Sequence, residues 1–159
     1  MKVTARIVFL MLITVWAGIV IGVSLLATPV KFQAPSLTMP VALEVGRYTF
    51  RLLARVELCF LIAVLIAARI ARPRFITAIA LVLVAAIVLL QRYWLLPALD
   101  HRVSQILAGG AISFSTGHWV YAVMEVAKSA LLITAGVVEY RSQLVSRTDA
   151  AITLALRDR

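Results

Sequence analysis

Four long apolar runs, separated by short polar or proline-rich breaks, set out this chain. The first, Ile7 to Ala27, is 21 residues without a charge. That is long enough to cross the roughly 30 Å of bilayer hydrocarbon as a helix. A secretory signal peptide is the rival reading, but its apolar core is usually about 7–15 residues and ends in an A-x-A-like cleavage site. This run is longer and lacks that site. The second run, about 52–70, ends at RIARPR, a very short turn around Pro73. The third, about 75–96, is rich in Ala, Val, Ile and Leu and closes in QRYWLLP, where Pro97 is expected to stop the helix. The fourth, about 118–138, opens with His118, Trp119 and Tyr121.

Between the runs, TPVKFQAPSLTMP (28–40) holds three prolines and is expected to break the helix into an ordered loop. DHRVSQIL (100–107) has the makings of two helical turns, ended by Gly109–Gly110. Residues 139–159 read as a tail whose AITLAL is too short to span. The pattern predicts an all-α, four-transmembrane-helix bundle forming a single integral membrane domain over 1–159, with spans about 7–27, 52–70, 75–96 and 118–138.

A short amphipathic helical segment precedes the second span. In LEVGRYTFRLLARVE (43–57), Glu44, Arg47, Arg51 and Arg55 fall at i, i+3, i+7 and i+11 and share one helix face. Leu43, Phe50 and Leu53 lie away from it. A charged stripe leading into a span is costly unless paired.

Composition agrees. The chain is 63% hydrophobic and 14% charged, against about 25% charged for soluble domains, and its mean hydropathy is +1.01. The net charge of +9 comes from basic residues that mostly flank apolar runs. It fits membrane orientation and anionic head groups on the cytoplasmic side better than nucleic acid, for which no aromatic-rich basic platform exists. Nine basic residues (Lys2, Arg6, Arg69, Arg72, Arg74 and the tail arginines 141, 147, 157 and 159) mark one side, against at most six (Lys31, Arg47, Arg51, Arg55, Arg92 and Arg102) on the other. This favours N-in and C-in, in a cell inner (plasma) membrane. Thr14, Gly18 and Gly22 repeat at i+4 and make a GxxxG pattern, a close-packing stripe within the chain or a homodimer seam.

Charges inside the spans are the candidate chemistry. His118, Tyr121, Glu125 and Lys128 share a face of the fourth helix. Glu125 lies about 10 Å and Lys128 about 15 Å below its start. Glu57 enters the second span by about 8 Å, and Gln91 and Arg92 come late in the third. With Arg51 and Arg55 these form a candidate polar cluster in the outer half of the bundle. A lone charge at mid-membrane costs roughly 2.5–3.5 kcal/mol on insertion scales, so pairing is the cheaper state. Glu57 lies roughly opposite Arg55 on an ideal helix, so both cannot face one interior. His101 and His118 are the only histidines, and the single Cys59 cannot close an intrachain disulfide. Metal and haem sites need more ligands than this. No catalytic residue, cofactor site or metal site emerges, and Cys59 reads as a small packing residue.

WAGIVIGVSLLATPVKF, PALDHRVSQILAGG and HWVYAVMEVAKSALLITAG together resemble the transmembrane protein 205-like family of small four-helix membrane proteins of unknown function. The resemblance implies the same fold. It maps that family's first-helix Trp, glycines, Pro and aromatic to Trp16, Gly18, Gly22, Pro29 and Phe32. Its basic residue after the third helix maps to Arg102, and its His opening the fourth to His118. The longer APSLTMPVALEVGR loop and the Glu125/Lys128 pair depart from it. The family lends no reaction. The expected function is structural or interaction, as an accessory subunit or a homo-oligomer, with a small transporter or channel-like protein as the alternative and an enzyme not expected. The expected partners are membrane lipids and another membrane protein or a second copy.

Overall fold

The computed structural model describes residues 2–110 and 116–157. Among them the chain forms four continuous helical rods and no strand. The first rod joins α1 (Lys2–Val20), a π-helical segment (Ile21–Ala27) and α2 (Thr28–Lys31). The second is α3 (Met39–Ala71). The third joins α4 (Phe75–Leu90), a π-helical segment (Gln91–Leu95) and α5 (Leu96–Leu107). The fourth is α6 (Thr116–Arg157).

Neither Pro29 nor Pro97 stops its helix, contrary to the sequence expectation. Each sits two residues beyond a π-helical segment. A proline lacks the N–H of the normal ladder, and its ring strikes the carbonyl four residues back. Widening the preceding turn relieves both problems. The Thr28 N–H reaches Val23 O, and the Thr28 hydroxyl donates to the same carbonyl at 2.9 Å. Likewise the Leu96 N–H reaches Gln91 O. Local π geometry of this kind is how a membrane helix tolerates proline.

The real breaks lie elsewhere. A run of turns over Phe32–Leu37 separates the first two rods, with Gln33 N–H donating to Val30 O at 2.9 Å and Leu37 N–H to Ala34 O at 3.1 Å. Thr38 is extended and Pro40 occupies the first turn of α3, where its fixed φ suits helix entry. Arg72 ends α3 in the left-handed region at φ 52°, and Pro73 follows. The third rod ends in a Schellman cap. Gly109, at φ 94°, gives its N–H to Ile106 O and Gly110 gives its N–H to Gln105 O.

The amphipathic segment before the second apolar run is not separate. It is the front of one 33-residue helix, about 50 Å long. α6 is likewise longer than expected at 42 residues and takes in most of the tail.

α1 packs against α3 and α6, and α4 packs against α6. The apolar core joins Phe9, Ile13, Trp16 and Val20 of α1 to Leu61 and Val64 of α3, Val84 and Val88 of α4 and Leu132 of α6. A smaller cluster, Ala54, Leu95, Leu96 and Tyr121, sits at one end. Large apolar side chains also cover the outside, such as Leu52, Ile66, Phe75 and Val82. Helices apolar on every face suit a lipid surround. Three helical stretches, Thr4–Lys31, Phe75–Leu107 and Thr116–Val145, are long and apolar enough to cross a membrane. α3 carries Arg55, Glu57 and Arg69 through its apolar half and is not among them.

Contacts fix which ends meet. Arg6 Nε donates to Ala71 O at 3.5 Å, covering a carbonyl at the C-terminus of α3. The N-terminus, the Arg72–Arg74 turn and Glu139 therefore share one end. The 32–38 turns, α5 and the start of α6 share the other.

Candidate functional site

Four of the nine candidate side chains converge. Lys128 of α6 lies 2.5 Å from Glu57 Oε1 of α3 and 2.7 Å from Glu125 Oε1 on its own helix. It also donates to Gln91 Oε1 at 2.8 Å. Gln91 turns its amide nitrogen to Glu125 Oε1 at 2.9 Å. Lys128, Glu125, Glu57 and Gln91 are 0%, 1%, 2% and 2% exposed. At that burial a charged group without partners is prohibitive.

The local geometry explains the meeting. The i, i+3 spacing of Glu125 and Lys128 puts them one above the other on α6. Glu57 is on the α3 face that carries Ala54 and Leu61 to the core. Gln91 begins the π-helical segment that accommodates Pro97. An ammonium has three N–H groups, and the three acceptors use all of them.

Two further groups belong to the cluster and were not apparent in the sequence. Trp16, fully buried, donates from Nε1 to Glu57 Oε1 at 3.4 Å and stacks on Phe60 with ring centroids 6.1 Å apart. Ser129 donates to Glu125 O at 2.8 Å. A tryptophan in an uncharged run carries no sequence signal that its nitrogen will meet a carboxylate on another helix.

The other candidates lie elsewhere. Tyr121 is buried one turn above Glu125, edge-on to Phe50 at 4.8 Å. Its hydroxyl interacts with the Glu125 carboxyl, although neither it nor Glu125 Oε2 makes a hydrogen bond of good geometry. Arg51 does not join Glu57. It pairs with Asp100 of α5 at 2.7 Å, and Arg47 approaches the same carboxylate at 3.4 Å. Asp100 is thus the counter-ion of the α3 stripe, a partner the sequence reading placed in a loop. Arg55 is exposed, which resolves its conflict with the inward-facing Glu57. Arg92 is half-buried and makes no ion pair with a described residue. His118 is exposed at the mouth of α6.

A second buried carboxylate also went unremarked in the sequence. Glu139 Oε1 accepts from the Arg74 N–H and the Thr77 hydroxyl, each at 2.9 Å. It caps the N-terminus of α4 from α6, accepting the N-cap N–H that a Glu or Gln at the third helical position takes in a capping box. The small-residue stripe is a correction to the intrachain alternative. A Cβ built on Gly18 or Gly22 would meet nothing within 4 Å, and Thr14 is exposed, with its hydroxyl bonded to Leu10 O. These positions face away from the rest of the chain. Cys59 also faces outward rather than into the core.

Among the described residues no group of three or more His, Cys, Asp or Glu could hold a metal ion. No family model, curated protein or solved structure matches this chain.

Proposed function

We propose that the chain is a four-span integral membrane protein of a cell's inner (plasma) membrane, N-in and C-in. It works as a structural or interaction protein, an accessory subunit or a homo-oligomer, and carries out no reaction itself. In this reading α3 is the fourth crossing. Its buried Glu57 is neutralised by Lys128, and the exposed Arg69 near its end snorkels to the head groups. The excess of basic residues at the Arg6 and Arg72–Arg74 end supports the orientation.

The observation that carries the reading is the saturation of Lys128. Every donor is engaged and the side chain is sealed from solvent. Such a knot is suited to holding three helices in one register. A carrier of ions needs its charged groups to trade partners. Purification of the full chain in mild detergent, with mass spectrometry of what accompanies it, tests the proposal. A stoichiometric partner or a defined oligomer is expected. A lone monomer that moves ions across liposomes would overturn it.

One observation favours passage of a proton or small ion as a second reading. Tyr121 lines a cavity at the end of the bundle and its side chain interacts with Glu125, one turn along α6 in the Lys128 knot. On this reading liposome flux is present in the native chain and lost in Glu125→Gln.

A further inference from the structure

At the end away from Arg6 and Glu139, α3, α5 and the first turns of α6, with Lys31 and Phe32, surround a cavity of about 490 Å³. Its wall is mostly apolar, drawn from Ala42, Phe50, Leu99, Val103 and Ile106 among others. The volume falls within the roughly 300–1,000 Å³ typical of small-molecule sites.

The charge on that wall is one-sided. Lys31, Arg47 and Arg102 face it with a single carboxylate, Asp100. Asp100 is already shared between Arg47 and Arg51. Lys31 makes no ion pair with any described residue. Its ammonium lies 5.0 Å from the Phe32 ring and 5.9 Å from the Phe50 ring. A Cβ built on Gly46 would come within 2.6 Å of Nζ, so a larger residue there would make the lysine tip shift. A half-buried cation held only by ring faces retains the capacity to bind an anion.

We propose that this cavity binds an acyl chain bearing an anionic head group. The chain lies along Phe50, Leu99 and Val103, and Lys31 holds the carboxylate or phosphate. An apolar wall selects the chain and the Lys31 ammonium selects the head-group charge. The site rests on the chain lying in a membrane, which supplies such molecules, but not on what the protein assembles with.

The test is native mass spectrometry of the full chain from mild detergent, titrated separately with phosphatidylglycerol, phosphatidylcholine and oleate. The two anionic probes separate a bilayer phospholipid from a free fatty acid as the source. A one-to-one adduct of at least one anionic probe is expected at about tenfold higher affinity than phosphatidylcholine, the fold-change one charge-assisted hydrogen bond supplies. Val103→Trp fills the cavity and should abolish the adducts. Lys31→Met should keep binding and erase the charge preference. Should Val103→Trp fail to fold, Lys31→Met decides, because it alters only a half-exposed tip. Failure of both phosphatidylglycerol and oleate to bind above phosphatidylcholine, native adducts on folded Val103→Trp, or an intact preference in Lys31→Met overturns the site. Recovery of the chain outside the membrane fraction would instead overturn the membrane reading.

Discussion

Lys128 Nζ of α6 stands 2.5 Å from Glu57 Oε1 of α3, closer than its 2.7 Å contact with Glu125 on its own helix. Lys128 thus pairs at once with a carboxylate on another helix and with one on its own. Removing Lys128 leaves two buried carboxyls, Glu57 and Glu125, without their shared cation. Lys128→Met should destabilise the chain by about 3–5 kcal/mol, the cost of breaking a buried pair from one side. The triple change Lys128→Met, Glu57→Gln, Glu125→Gln should recover most of that loss, since no charge is then stranded. Denaturant titration in a fixed detergent measures both. Equal losses in the two variants would remove the ion-pair account.

Glu139 acts at a distance in sequence as the cap of α4. Glu139→Ala strands the Arg74 N–H and the Thr77 hydroxyl and should cost about 1–3 kcal/mol. Amide exchange at Arg74 should accelerate with it. Glu139→Gln keeps an acceptor oxygen and should lose less.

Asp100 tests the opposite case. Its pairs with Arg47 and Arg51 have side chains 21% to 36% exposed. Solvent screening then limits their worth, so Asp100→Asn should lower stability by less than about 1 kcal/mol. The difference should shrink as salt is added. A large, salt-independent loss would show that Asp100 is sealed off.

Gly18 and Gly22 have open space where a side chain would go. Gly18→Leu should leave the thermal midpoint unchanged or raised, by up to about 1 kcal/mol of helix propensity. Light scattering of the same sample reads the assembly. On the homo-oligomer reading the particle mass falls, while an unchanged mass removes this stripe as a seam.

How much was legible can be judged residue by residue. Counting helix rise put Glu57, Arg92, Glu125 and Lys128 within reach of one another, because depth along a helix depends only on position. The structure brings in Gln91 where the count had its neighbour Arg92, and leaves Arg51, Arg55 and His118 outside the cluster. Depth does not say which way a face turns once neighbouring helices are in place. Trp16 was invisible because its polar atom is one nitrogen on an apolar ring. Glu139 was passed over because it stood in what read as a tail, and Asp100 because it stood in what read as a loop.

By itself, then, the sequence determined that this is an all-α chain with apolar stretches of membrane-crossing length, and that its few buried charges needed partners. Those conclusions rest on local energetics: backbone groups satisfied within each helix, and the cost of an unpaired charge. Tertiary structure alone decided which partners they found. It let π-helical turns carry two helices past Pro29 and Pro97, gave Asp100 to the α3 arginines, and set Lys31 on a cavity wall without an ion pair to any described residue. Each of these depends on how helices distant in sequence rotate and abut, which no periodicity along one helix encodes.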